Sequence, residues 1–168
     1  MTSPNPKEEN THPNKTSSIT AQILGFSGLL PIAAIFISAI LWPIFPEKEF
    51  LEKELLEKLS LLANLYAGTI FSFLGGIQWG LSLNPTAQIQ LSKRLLVSVA
   101  PSLWTVAALQ FASVQTSWLL VLGLNALLVF ELLDPEKNQR PAWYIPLRIN
   151  LTLCLSIGLL AISALHFV

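Results

Sequence analysis

With a single cysteine, Cys154, the chain can close no internal disulfide and build no multi-cysteine metal site. Its two histidines, His12 and His166, lie near opposite ends and cannot join Cys154 around one ion. Charge is scarce: Asp, Glu, Lys and Arg make up 12% of 168 residues, where soluble domains carry about 25%. Ten basic residues cancel ten acidic ones, so no surplus of either sign points to nucleic acid or an acidic partner. No Gly-rich phosphate loop, HExxH or GxSxG occurs, and no buried acid or histidine stands mid-block to activate a serine. No internal repeat is seen, which argues against an inverted-repeat transporter within one chain. The expectation is a non-enzyme without cofactor, metal or nucleic acid.

What is abundant is apolar residue, 52% of the chain, gathered in long blocks. Residues 59–83 carry no charge over 25 positions, enough at ~1.5 Å per residue to cross a ~30 Å bilayer core. Residues 95–130 are also free of charge, too long for one crossing and sufficient for two of ~18 residues. Polar Ser113 to Ser117 is the softest place to divide them. The pattern predicts an all-α membrane bundle of five transmembrane helices, about 21–42, 60–83, 94–112, 117–133 and 147–168, within one domain, 21–168. Pro31 is expected to kink the first span. Residues 1–20, rich in Pro, Ser, Thr and Asn, read as a disordered polar tail.

Between the first two spans, residues 47–59 carry eight charges of mixed sign. Glu49 precedes Lys53, and Glu54 precedes Lys58, by the four residues that favour helix pairing. Phe50, Leu51, Leu55 and Leu59 follow helical spacing, predicting an amphipathic interfacial helix, or one leading stiffly into the second span. Counting Lys and Arg by side gives seven with the tail and three opposite. This bias predicts a cytoplasmic N-terminus (matrix-facing, were the protein organellar) and an outer C-terminus; a bacterial inner membrane is the expected location.

The second span has internal design. Gly68, Ser72, Gly76 and Gly80 recur every four residues, beside Gly75, as helices that approach closely require. Packing inside the protomer and a homodimer face both suit such a stripe. Gln78 points away from Gly76, on the side of Asn64 and Phe71. The topology places Gln78, Trp79, Arg94, Glu131, Asp134, Tyr144 and Arg148 at one membrane level, the cytoplasmic one. Ionisable groups at that depth seek partners or water, so a salt bridge from Arg148 to Glu131 or Asp134, or a shared polar pocket, is expected there.

FSFLGGIQWGLSL, RLLVSVAPSLW and PAWYIPLRINLTL resemble the membrane family called domain of unknown function 3429, whose animal relatives are called transmembrane protein 69. The more specific parts are Gly75-Gly76-Ile77-Gln78-Trp79-Gly80 and the segment from Tyr144 to Thr152. The resemblance implies a polytopic membrane protein and transfers no activity. Where the family pattern usually has histidine before tryptophan, this chain has Gln78, which hydrogen-bonds but cannot carry a proton as histidine does. Function is therefore expected to be that of a non-enzymatic accessory or scaffold protein packing with itself or other membrane proteins in the lipid bilayer. The alternative is small-solute transport or binding through the cytoplasmic-side polar pocket; a lipid-modifying enzyme comes third.

Overall fold

One helix of 34 residues, α3 (Glu49–Ser82), lies against nearly every other element of the chain. A computed structural model describes residues 15–41, 49–83, 91–135, 137 and 140–167. The other α-helices are α1 (Lys15–Ser27), α2 (Leu30–Leu41), α4 (Leu91–Ala108), α5 (Ser113–Leu133) and α6 (Tyr144–Ala164), followed by a 3-10 turn at Leu165–Phe167. The fold is all-α among the described residues. Four stretches are long and apolar enough to cross a membrane: Ile19–Leu41, Lys53–Ser82, Ser113–Leu133 and Tyr144–Phe167.

Polarity runs inside out relative to a soluble protein. Leu96, Phe73 and Leu133 are each more than two-thirds exposed, while Ser60, Asn64, Gln78, Thr116, Ser117, Glu131 and Thr152 are buried. Lipid is as apolar as leucine, so leucines gain little by turning inward, and polar side chains turn inward to find partners. The remaining core is built from one face of α3, Ala63, Ala67, Phe71 and Leu74, against Leu120 and Leu124 of α5 and Leu155, Leu159 and Ile162 of α6.

Several boundaries differ from the sequence expectation. The first helix begins at Lys15, so 15–20 are helical rather than part of a disordered tail; residues 1–14 lie outside the described residues. The first span is broken at Gly28–Leu29 rather than kinked at Pro31. Pro31 is the second residue of α2, where a missing N–H costs no helix bond and its fixed φ suits the first turn. The amide of Gly28 folds back to Leu24 O and Gly25 O, and Tyr66 Oη donates to Gly28 O at 2.5 Å, tying the break to α3.

Of the two expectations for the charged segment, the structure shows the stiff lead into the second span and not a separate interfacial helix: from Glu49 onward it forms the opening turns of α3. At ~1.5 Å per residue α3 is ~51 Å long, so about 20 Å extends past a ~30 Å bilayer core. Lys58 bonds Glu54 at 2.6 Å on this exposed stalk. Residues 47–48, at the start of the expected helix, are outside the described residues.

The hairpin also moves. The chain turns at Leu109–Ala112, and Ser113 to Ser117 form the first turn of α5 instead of a loop. Those polar residues are spent on neighbouring helices. Asn64 Nδ2 donates to Ser113 O and its Oδ1 accepts from Ser117 Oγ, both at 2.8 Å, while Thr116 Oγ1 donates to Ala108 O at 2.8 Å. Asn64→Leu should therefore lower bundle stability by about 0.6–2 kcal/mol, the range for interhelical polar contacts in lipid. A thermal unfolding midpoint in mild detergent reads this out; an unchanged midpoint would mean that the clasp contributes nothing.

Candidate functional site

Glu131 and Asp134 stand one turn apart where α5 ends, Asp134 being its C-cap. Carboxylates there face the negative end of the helix dipole, which disfavours them unless cations are close. Three arginines supply the charge, each delivered by a different element. Arg94 comes from the first turn of α4, Arg140 from the connection before α6, and Arg148 from the second turn of α6.

Two linked motifs result. In the first, Glu131 Oε1 accepts from Gln78 Nε2 at 2.8 Å and Oε2 accepts from Arg148 Nε at 3.1 Å. Arg148 Nη1 then donates to Thr152 Oγ1 at 2.9 Å, four residues along the same face of α6. In the second, Asp134 Oδ2 accepts from Arg94 Nη2 at 2.7 Å and Arg140 Nη2 at 2.6 Å. Arg140 lies over the Tyr144 ring, 5.3 Å from its centroid, with Trp143 edge-on to Tyr144 at 6.3 Å. Tyr144 Oη is buried and makes no hydrogen bond of its own.

Gln78 and Glu131 are 0% exposed, and Arg94, Asp134 and Arg148 no more than 5%. An ion pair this dry is costly to assemble, and its geometry must be met on both sides. Here Glu131 engages a donor with each oxygen, and Arg148 fills two of its three nitrogens. The cluster joins α3, α4, α5 and α6 at one end of the bundle.

Of the residues grouped from sequence, Gln78, Arg94, Glu131, Asp134, Tyr144 and Arg148 come together, with Arg148 on Glu131 rather than Asp134. Trp79 does not join them. It is about half exposed on the outer side of α3, because one step along the helix turns it ~100° from Gln78. Thr152 and Arg140 are not singled out by sequence. The four-residue step from Arg148 marks Thr152, whereas nothing local marks Arg140, whose role comes from the turn before α6. At the other end of α3, Ser60 Oγ and His166 Nε2 are 2.8 Å apart, a tie between α3 and the C-terminal turn that spacing alone does not show.

The glycines divide. A Cβ on Gly68 would run into Thr105, and one on Gly75 into Ser98 O and the Pro101 ring, so both sit in the α3–α4 contact. Gly76 and Gly80 meet no atom of the described residues within 4 Å. Packing inside the protomer therefore holds for Gly68 and Gly75 and not for Gly76 or Gly80. Ser72 lies at the margin, half-buried.

Polar groups inside, many leucines outside and four stretches of membrane-crossing length define, among the described residues, an all-α multi-pass membrane protein. Within that class, the chain belongs to the family described as protein of unknown function (DUF3429), whose family model matches residues 17–165. Comparison with curated proteins and with solved structures gave no match.

Proposed function

We propose that the protein is a non-enzymatic accessory or scaffold protein of a bacterial inner membrane that associates with itself or with other membrane helices through the outer face of α3. The observation carrying this is the division of the glycines. Gly76 and Gly80 form a GxxxG pair with open space before them, flanked by exposed Phe73, Trp79 and Leu83. Small residues in that spacing let a second helix approach closely, and no helix of the described bundle takes the place.

The proposed topology has five crossings, with α4 as the third. Its 18 residues span ~27 Å, and its arginine is drawn inward onto Asp134 instead of facing lipid. The Lys and Arg bias favours a cytoplasmic N-terminus and an outer C-terminus.

Single cysteines at positions 76 and 80 test the association, with the exposed Cys154 replaced by serine. Oxidation in native membranes is expected to trap a homodimer or a defined heterologous adduct. Gly80→Leu, read through a cysteine at Leu83, should abolish it while the protein still accumulates. A lone monomer under every condition would sink the proposal.

A second reading, solute binding at the α5–α6 end, is favoured by the convergence of Gln78, Glu131 and Arg148. It requires cysteines at 78 and 131 to react with soluble thiol reagents from the cytoplasmic side. Protection of both removes it.

A further inference from the structure

Next to the polar cluster is a cavity of about 260 Å³ bounded by α1, α3, α5, α6 and the Gly28–Leu29 break. Leu29, Ile70, Leu74, Leu124 and Leu155 make its walls, and Arg148 is the charged residue among those lining it. Leu24 and Phe73, 66% and 69% exposed, edge the opening, so it faces sideways, toward lipid in a membrane-embedded bundle.

Arg148 is only 5% exposed, yet its Nη2 has no hydrogen-bond partner. Nε is held by Glu131 and Nη1 by Thr152, so one donor is left over on a residue that lines this mostly apolar chamber, where Tyr66 and Thr152 are the other polar side chains. A buried donor without an acceptor is strongly disfavoured. What the chamber lacks is an acceptor and not an anion, since Glu131 already balances the guanidinium. A second carboxylate would sit beside Glu131 and be repelled.

The occupant must enter from the bilayer, be apolar along the roughly 10 Å from Arg148 to Leu155, and offer one neutral oxygen acceptor. The volume exceeds the ~150 Å³ apolar cavity that holds benzene and falls short of the ~300 Å³ at which drug-sized sites begin. It suits one hydrocarbon chain and not two.

We propose that this cavity binds one acyl chain of an ester-linked phospholipid, with the ester carbonyl accepting from Arg148 Nη2. The lipid belongs to the leaflet at the Arg148 end. Arg148 lies one turn into α6, near the border of the hydrocarbon, and the chain runs past Leu151 and Leu155 toward the bilayer centre while its sister chain stays in the bilayer.

Native mass spectrometry of the delipidated full-length protein, titrated with a phosphatidylglycerol and with its dialkyl ether counterpart, tests this. One tightly held lipid is expected, with the ester form favoured about tenfold or more, since the ether lacks the carbonyl that a charged donor rewards. Ile70→Trp should fill the chamber and abolish retention while leaving the helical circular dichroism and the Glu131–Arg148 pair in place. Should that variant misfold, the ester–ether comparison on the unaltered protein still decides. Equal binding of ester and ether lipid, oleate binding more tightly than either, or no retained lipid would each overturn the proposal.

Discussion

Glu131→Ala is expected to be among the most damaging single substitutions in the chain, lowering stability by about 3–5 kcal/mol. The loss is larger than the worth of the ion pair itself. Removing the carboxylate leaves the Arg148 guanidinium, 5% exposed, without its counterion and strips Gln78 Nε2 of its acceptor. Water cannot replace them without opening the end of the bundle. In cells the variant should fall in abundance several-fold, and in detergent its unfolding midpoint should drop steeply.

A second substitution separates an uncompensated charge from a mere loss of packing. Glu131→Gln combined with Arg148→Met removes both charges at nearly constant volume and keeps an acceptor for Gln78. Buried pairs exchanged for apolar or neutral groups are often neutral in stability, so the double variant should recover most of what Glu131→Ala loses. Should the double variant be as unstable as the single, the network would be holding the helices by geometry, with charge balance secondary.

How much of the site is legible in the sequence depends on whether the information is local. The cluster is legible because topology alone brings the end of α3, the start of α4, the end of α5 and the start of α6 to one level, and charged residues at such a level have few choices. Which carboxylate takes Arg148 is not legible. Glu131 and Asp134 are three residues apart, and the choice follows from the rotation of α5 against α6. Arg140 claims Asp134 only because the connection before α6 folds back over Tyr144.

The displaced hairpin shows a different limit. Serines and threonines in a soluble chain mark loops, and by that rule Ser113 to Ser117 predict one. Inside a bilayer such side chains bond across helices, so polarity marks contact instead of exit. The turn falls instead on Leu109–Ala112, a more apolar stretch than Ser113 to Ser117. The same inversion explains Asn125, which sits mid-helix and donates to Ser156 Oγ of α6 at 3.1 Å. The sequence leaves open whether the charged segment lies apart at the interface or leads stiffly into the second span, and the structure takes the second course. The backbone has no reason to break where charge density drops after Lys58, because Glu–Lys pairing and the absence of Gly or Pro carry one helix through the change.

The adjacent glycines of α3 should respond with opposite sign. At Gly75 a methyl would press on Ser98 O and on a proline ring, neither of which can rotate away. Gly75→Ala should therefore reach or exceed the top of the ~1–3 kcal/mol range for overpacked sites. Gly68→Ala meets the methyl of Thr105 instead, and that obstacle can be trimmed. Thr105→Ser removes the methyl while keeping the hydroxyl that bonds Pro101 O at 2.8 Å, so Gly68→Ala with Thr105→Ser should regain most of the lost stability. At Gly76 the added methyl meets nothing, and replacing helical glycine with alanine favours the helix by up to about 1 kcal/mol. Gly76→Ala should thus leave the monomer as stable as before or more so. Gly76→Leu should fold and fail only in association, the property proposed for that face. Thermal midpoints of the four alanine and serine variants, set against cross-linking yields for Gly76→Leu, decide the matter. A Gly76→Ala variant as unstable as Gly75→Ala would show that the outer face of α3 is already packed within the protomer and is not free for a partner.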